Sequence, residues 1–226
     1  MLEVVLASNN KKKIAELRRL LDEAGKNVKV LSLADIGFEG DIDEYGTTFE
    51  VNSLIKASVP ARMGYIGIAD DSGLCVSALD GRPGVYSARY SAEVETDDRD
   101  AENRKKLLDE MSGVKRESRG AKFVCVASLV LPENSRYVIP EGFSANAEHA
   151  ASAKVPGACA TVRGETRGII AFSEKGEGGF GYDSLFYSPT LGKNFAEATP
   201  EEKATVSHRG RAMREFVKLI SAIAEQ

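Results

Sequence analysis

The 226-residue sequence has no tryptophan, only two histidines and only three cysteines. Cys75, Cys125 and Cys159 are far apart, form no CxxC pair and are odd in number, which argues against a disulfide framework and against a zinc site. We interpret them as buried, reduced thiols of a cytoplasmic protein. No run approaches the roughly 20 apolar residues that a membrane helix needs, and the N-terminus shows no signal-peptide pattern. We therefore expect neither a membrane span nor export.

An excess of positive charge is also missing. Lys and Arg number 30 against 34 Asp and Glu, which gives a net charge of −4. Without a general basic surface the protein is not expected to bind nucleic acid, and any polyanionic ligand must be bound locally. The apolar fraction of 42% is typical of a globular chain and excludes disorder as a description of the whole sequence.

The apolar pattern alternates between strand and helix signals. Predicted strands cover residues 4–7, 28–33, 65–69, 74–79 and 122–131, and predicted helices follow residue 8 and cover 47–63, 100–111 and the C-terminus. We assign the second helix a capping box formed by Thr47 and Glu50, and we place an acidic turn at residues 70–73. The pattern indicates an α/β fold with a mixed sheet. We expect a single two-lobed domain over residues 1–226, with 133–158 as a surface excursion.

The first candidate motif, LASNNKKKIAEL at residues 6–17, joins a strand directly to a helix. Free backbone N–H groups and the helix dipole at such a junction favour phosphate binding, and lysines add mobile charge. The candidate phosphate-binding residues here are Ser8, Asn9, Asn10, Lys11, Lys12 and Lys13. The alternative is a plain helix cap at Ser8 or Asn9 with solvated lysines. The P-loop and GxGxxG patterns are both absent from the sequence.

The second motif, ADDSGLCVSAL at residues 69–79, contains adjacent aspartates after an apolar run. Carboxylates are the ligands that Mg²⁺ prefers, and they can also deprotonate a water molecule. Because neighbouring strand residues point to opposite faces, we expect only one of Asp70 and Asp71 to contact a metal directly. Glu44 is a further candidate ligand. The alternatives are an Asx turn closed by Gly73 and a solvated acidic loop around Glu44.

Two later motifs offer groups for recognising a flat ligand. GEGGFGYDSLFY at residues 176–187 places Phe180 and Tyr182 among glycines, where the rings can stack on a ligand or simply fill the core. EEKATVSHRG at residues 201–210 supplies the hydrogen-bond donors Lys203, His208 and Arg209 just before the last predicted helix. Each motif alone has a purely structural explanation. Together the four motifs describe a binding site for a nucleoside triphosphate and its magnesium.

The sequence resembles the inosine triphosphate pyrophosphatase family. The matching blocks are LASNNKKKIAEL, EYGTTFEVNSLIKA, IADDSGLCVSALDGRPGVYSARY, GGFGYDSLF and FAEATPEEKATVSHRGRA, in the family's order along the chain. The resemblance implies an elongated α/β fold with a long mixed sheet flanked by helices and two lobes around a central active-site cleft. It also implies a cytoplasmic homodimer that uses Mg²⁺ to hydrolyse ITP, dITP and XTP to the nucleoside monophosphate and pyrophosphate, which clears these nucleotides before they enter DNA or RNA.

The resemblance also implies roles for the phosphate and metal residues. The residues implied to hold the phosphates are Ser8, Asn10, Lys13 and Lys56. Glu44 and Asp71 would hold Mg²⁺, and Ser72 would touch the substrate beside the metal. One of the two aspartates, Asp71 by the resemblance, would accept the proton of the attacking water.

A second set of residues is implied to recognise the base. Its members are Phe180, which would stack on the base, Gly181, Tyr182, Asp183, Lys203, His208 and Arg209. A 6-oxo purine presents an acceptor where adenine presents an amino donor, so donors from His208 or Arg209 would pair with the first and be left unpaired by the second. Exclusion of guanine, which shares the 6-oxo group, requires a further feature.

The chain departs from the family pattern at three positions. Asn9 stands where the family has glycine, Ser184 where it has proline, and Val51 where it commonly has an acid. Because of the change at Ser184, a pyrophosphatase that acts on other modified nucleotides is an alternative function. A non-catalytic nucleotide-binding protein is the alternative from a different functional class.

Overall fold

The computed structural model describes residues 1–8 and 10–226, without the side chain of Lys12. The strands are β1 (Leu2–Leu6), β2 (Val28–Leu31), β3 (Ile66–Val76), β4 (Gly120–Val130), β5 (Cys159–Ile170), β6 (Phe186–Ser188) and β7 (Lys193–Asn194). The α-helices are α1 (Lys11–Glu23), α2 (Phe49–Arg62), α3 (Arg99–Glu110), α4 (Ala147–Ser152), α5 (Pro200–Val206) and α6 (His208–Ala224).

The strands form one seven-stranded mixed sheet in the order β2-β1-β3-β4-β5-β6-β7. Strand β1 pairs in parallel with both β2 and β3, which requires crossover connections, and α1 and α2 lie in these connections. Strands β5, β6 and β7 pair antiparallel. The sheet with its helices confirms the α/β class that the apolar pattern predicts.

The chain divides into two compact units. The first unit contains residues 1–71, 126–163 and 212–226, and the second contains residues 72–125 and 164–211. Each has its own apolar core: Val5, Leu54 and Val130 belong to that of the first unit, and Leu107 and Phe186 to that of the second. Among the described residues, no helix is both long enough and apolar enough to span a membrane.

The predicted start of α2 is wrong by one residue. Thr48, not Thr47, is the N-cap, and its hydroxyl accepts a hydrogen bond from the N–H of Val51 (3.2 Å). The predicted reciprocal bond from Glu50 is replaced by an ion pair between Glu50 and Arg163 of β5 (2.5 Å). Two consecutive threonines make the choice of cap ambiguous in the sequence.

The predicted acidic turn at residues 70–73 is also wrong. Strand β3 continues without interruption from Ile66 to Val76, so Asp70 and Asp71 lie in mid-strand and not at a junction between two short strands. Buried carboxylates are tolerated in a strand only when they are paired. Each aspartate has a lysine partner on a helix, as the site shows.

Strand β5 has no counterpart among the sequence predictions. Its residues alternate between buried and more exposed positions, as in a strand with one covered face. Several of its buried positions are occupied by Gly164, Thr166 and Gly168, so the apolar alternation is weak. A Cβ atom on Gly168 would lie 2.5 Å from the ring of Phe186, so packing against a large neighbour accounts for the missing side chain.

Candidate active site

The junction of β1 and α1 is organised by its own polar side chains. The hydroxyl of Ser8 accepts a hydrogen bond from the N–H of Asn10 (3.1 Å), and the amide oxygen of Asn10 accepts one from the N–H of Lys13 (3.3 Å). Asn10 therefore caps α1, and the first turn of the helix follows at once. The roles predicted for Asn9 and for the Lys12 side chain lie outside the described residues. Lys11 is exposed in the first turn.

Two lysines from two helices neutralise the aspartates of β3. The ammonium of Lys13 on α1 lies 2.9 Å from Oδ2 of Asp70. The ammonium of Lys56 on α2 lies 2.8 Å from Oδ1 of Asp71 and 3.1 Å from Oε1 of Glu44. The aspartate side chains are 4% and 11% exposed, so these are shielded ion pairs. Lys13 and Lys56, predicted to contact phosphate, are paired with carboxylates in the structure.

The charges around Asp71 oppose one another. Burial raises the pKa of Asp71, and the carboxylates of Glu44 and Asp70 raise it further, against the lowering effect of Lys56. Burial by itself lowers the pKa of Lys56, but the nearby Asp71 and Glu44 outweigh it and hold the lysine protonated. The second oxygen of Asp71, Oδ2, is buried and has no hydrogen-bond partner among the described residues. A cation or a proton at this oxygen would offset the cost of its burial.

Glu44, Lys56 and Asp70 border a concavity of about 430 Å³ within the first unit, and Asp71 lies behind Lys56 without lining it. The predicted site residues that line it are Ser8, Lys13, Glu44, Lys56 and Asp70. The structure thus brings together the helix start, the acidic loop and the acid pair, which are far apart in sequence. The lining is both cationic and anionic, a combination suited to a phosphate that arrives with a metal ion.

Sequence reasoning missed the contact that fixes the loop just after Glu44. Asn52 is fully buried on α2, and its Oδ1 accepts a hydrogen bond from the N–H of Gly46 (2.8 Å). A Cβ atom on Gly46 would lie 2.6 Å from that oxygen, so the loop packs directly against the helix only with glycine there. A polar amide in an otherwise apolar helix face is the sequence signal that points to such a contact.

The residues present fit a magnesium ion. Among the residues that the structure describes, no group of three or more His, Cys, Asp or Glu side chains is gathered as a metal cage. Glu44 and Asp71 nevertheless converge on one ammonium group, and Oδ2 of Asp71 is buried with no hydrogen-bond partner in the described part of the chain. Mg²⁺ is commonly held by one or two carboxylates together with waters and substrate phosphates, so two carboxylates are a sufficient protein contribution.

In the glycine-rich loop of the second unit, the ring of Phe180 is exposed and the ring of Tyr182 is buried. Phe180 is 75% exposed, whereas Tyr182 is buried in the core and its hydroxyl donates to the carbonyl of Ser87 (2.9 Å). The predicted base-framing role therefore has an available ring only at Phe180. Oδ2 of Asp183 accepts from the N–H of Phe180 (2.9 Å), and a Cβ atom on Gly179 would lie 2.2 Å from that oxygen.

The predicted hydrogen-bond donors to the base lie on two helices, and not all of them precede the C-terminal helix. Lys203 lies on α5, while His208 and Arg209 are in the first turn of α6. The Lys203 ammonium pairs with buried Asp183 and lies 4.8 Å from the centroid of the Phe180 ring. The His208 ring stacks on Phe123 at 4.7 Å. A lysine is thus placed beside the exposed ring.

Ser72 follows Asp71 on β3 and is exposed. Its predicted contact with the substrate stays a prediction. At the start of α6, a Cβ atom on Gly210 would lie 2.0 Å from the carbonyl oxygen of Ala204. Glycine at this position therefore lets α6 begin directly against α5.

The mixed sheet flanked by helices makes this an α/β protein. Its concavity, lined by lysines and carboxylates, is suited to a charged ligand. The model of the Ham1 family matches residues 4–219, and the chain belongs to this family. This confirms the family resemblance drawn from the sequence motifs.

Individual relatives and solved structures agree over nearly the whole chain. The dITP/XTP pyrophosphatase of Haemophilus influenzae is 42% identical and covers 93% of this chain and 95% of its own. The dITP/XTP pyrophosphatase of Bacillus subtilis is 38% identical, with 98% of each chain covered. The solved structure of a HAM1 protein from Coxiella burnetii has a TM-score of 0.82 and 35% identity, and the match covers 98% of this chain and 100% of that one.

Proposed function

We propose that this protein is an enzyme that hydrolyses the deaminated purine nucleoside triphosphates ITP, dITP and XTP to the nucleoside monophosphate and pyrophosphate. The names of its relatives support this reaction and substrate class. The observation that carries the proposal is the buried oxygen of Asp71 beside Lys56 and Glu44, which has no hydrogen-bond partner among the residues that the structure describes. The reaction would remove non-standard nucleotides before they are incorporated into DNA and RNA.

In the proposed mechanism Asp71 accepts a proton from the attacking water. The water oxygen bonds to the α-phosphorus, the bond from this phosphorus to the bridging oxygen breaks, and pyrophosphate leaves with the electron pair. The raised pKa of Asp71, caused by burial, brings its basicity closer to that needed at neutral pH. Lys56 holds the Asp71 carboxylate in place through Oδ1.

Glu44 and Asp71 would hold the magnesium ion that the resemblance implies. When bound, Mg²⁺ would neutralise triphosphate charge and polarise a phosphoryl oxygen. The chain's own contribution is the placement of the two carboxylates: Lys56 contacts both of them, and Asn52 fixes the backbone of the Glu44 loop through Gly46. Helix N-terminal N–H groups near Ser8 and Asn10 would bind phosphate oxygens.

Base recognition would belong to the second unit. The exposed ring of Phe180 would stack on the purine, and Lys203 would add positive charge at the ring face. Donors from His208 or Arg209 would pair with the 6-oxo group and reject adenine, whose amino group leaves them unpaired. The homodimer and the cytoplasmic location implied by the family resemblance stay predictions.

The proposal is tested by measuring pyrophosphate and orthophosphate release from ITP, XTP, dITP, ATP, GTP and CTP, with Mg²⁺ and with a chelator. We expect metal-dependent pyrophosphate release confined to ITP, XTP and dITP. Orthophosphate release would move the attack to the terminal phosphorus. Binding without release of either product would favour the non-catalytic alternative, and turnover of other modified triphosphates would favour the substrate set that Ser184 keeps open.

A further inference from the structure

Both backbone polar groups of Gly181 are held by side chains of α3. Oδ2 of Asp100 accepts a hydrogen bond from the N–H of Gly181 (2.8 Å), and Nη1 of Arg104 donates one to its carbonyl oxygen (3.1 Å). Asp100 and Arg104 are four residues apart, so they project from the same face of the helix. Neither residue belongs to the motifs that point to the active site.

The chain of the loop changes direction at Gly181. Its φ of 59° lies in the left-handed region that favours glycine. The residue before it, Phe180, turns its ring outward, and the residue after it, Tyr182, enters the core. The position of the Gly181 peptide therefore decides where the exposed ring of Phe180 stands.

Glu174 connects Ser184, at the end of the loop, to Arg104. Nε of Arg104 lies 2.8 Å from Oε2 of Glu174, and the hydroxyl of Ser184 donates to that same oxygen (2.7 Å). Ser184 is the residue that replaces the family's proline, which has no side-chain donor. Glu174 thus joins Ser184 and Arg104, and Arg104 joins Gly181, so both ends of residues 181–184 are tied to one side chain.

Helix α3 is itself firmly anchored in the second unit. Asn103, between Asp100 and Arg104, is 2% exposed. Its Oδ1 accepts from the N–H of Ser91 (2.8 Å), and its Nδ2 donates to the carbonyl of Ser87 (3.2 Å). Leu107, one turn further, is fully buried. The helix therefore provides a fixed platform for the two side chains that hold the loop.

We infer that Asp100 and Arg104 are positioning residues that hold the Phe180 ring in its base-binding position, with Glu174 and Ser184 as the second support. The inference rests on the proposed role of Phe180 in binding the base. A segment rich in glycine loses much conformational freedom when it orders on a ligand, and fixing it beforehand removes that cost from binding. Loss of the arginine should therefore weaken substrate binding more than it slows the chemical step.

The test uses the absence of tryptophan from the chain. In a Phe180→Trp background the single indole reports on the loop, and its anisotropy and its quenching by inosine monophosphate are measured with and without Arg104→Ala. The matched control is Lys105→Ala, since Lys105 lies on the same helix with its side chain 69% exposed. We expect Arg104→Ala, and not Lys105→Ala, to lower the anisotropy and weaken the monophosphate's binding.

Steady-state kinetics without the tryptophan complete the test. We expect Arg104→Ala to raise the KM for dITP about tenfold, as loss of one charge-assisted hydrogen bond would. We also expect kcat to change less than about threefold and inhibition by pyrophosphate to stay the same, because Arg104 contacts Gly181 of the base loop and Glu174. Glu174→Gln, at a 44% exposed side chain, should give a smaller rise in KM and decides the matter if Arg104→Ala fails to fold.

Phe180→Ala distinguishes failure of the positioning role from failure of the proposed base site. If Phe180→Ala raises the KM for dITP while Arg104→Ala and Glu174→Gln behave like Lys105→Ala, the positioning role is overturned and the proposed base site stands. If Phe180→Ala leaves the KM unchanged, the base-binding role of the loop fails and the inference fails with it.

Discussion

Gly67 on β3 lies directly against the carbonyl oxygen of Ala57 on α2. A Cβ atom on residue 67 would be 1.9 Å from that oxygen, far inside contact distance. The helix backbone therefore rests on the strand backbone with no side chain between them. Lys56 is the neighbour of Ala57, and Asp71 is four residues along the strand from Gly67, so this close approach accompanies the 2.8 Å contact between Lys56 and Asp71.

Gly67→Ala should separate the helix from the strand. Overpacking of this kind costs about 1–3 kcal/mol of unfolding free energy, and we also expect kcat to fall because Lys56 moves away from Asp71. Urea denaturation and pyrophosphate release measure the two effects. Gly120→Ala on β4 is the matched control, since its new Cβ atom would meet only the hydroxyl of Ser77 at 3.7 Å. Equal stability of the two variants would contradict the packing argument.

Asp71→Asn should abolish most turnover without unfolding the protein. An amide cannot take the proton of the attacking water, and loss of general base catalysis lowers kcat by about 10²–10⁴-fold. The thermal midpoint should change little, because the amide relieves a buried carboxylate while Lys56 keeps Glu44 as a partner. Asp97→Asn, at an exposed position, serves as the control. Turnover close to wild type in Asp71→Asn would rule out the proposed role.

Glu44→Gln should raise the Mg²⁺ concentration needed for half-maximal pyrophosphate release by about tenfold, since it removes one charged ligand. Asp43→Asn removes the neighbouring carboxylate of the same loop, which is exposed, and should leave that concentration unchanged. A chelator should abolish activity, and added Mg²⁺ should restore it. Full turnover in the chelator, or equal metal titrations for the two variants, would refute the metal assignment.

The local pattern of apolar residues in the sequence predicts only part of the fold. The strand-like run after Met1 and the helical spacing of Ile14, Leu17 and Leu21 predict β1 and α1, because period and length are properties of the sequence itself. The acid pair shows the limit. Two adjacent aspartates followed by Ser72 and Gly73 favour a turn locally, but β3 continues through them and the aspartates pair with Lys13 and Lys56.

The candidate site divides in the same way. The types of residue at its motifs are enough to predict a phosphate- and metal-binding protein and to indicate its family. They do not distinguish Phe180, which is exposed, from Tyr182, which is buried, although only Gly181 lies between them in one glycine-rich loop. They also leave out Asn52, Asp100 and Arg104, whose partners are backbone groups of other elements: Gly46 for Asn52, and Gly181 for the other two.

The sequence by itself therefore determined the α/β class, the family and the chemical character of the site, because periodicity and residue type act locally. Only the tertiary structure decided which carboxylate receives which lysine, and which side chains hold the loops in place. Those choices depend on contacts between residues many positions apart, such as Lys56 with Asp71 and Arg104 with Gly181. The free energy of burying a charge or a peptide group is defined only once the surrounding elements have packed.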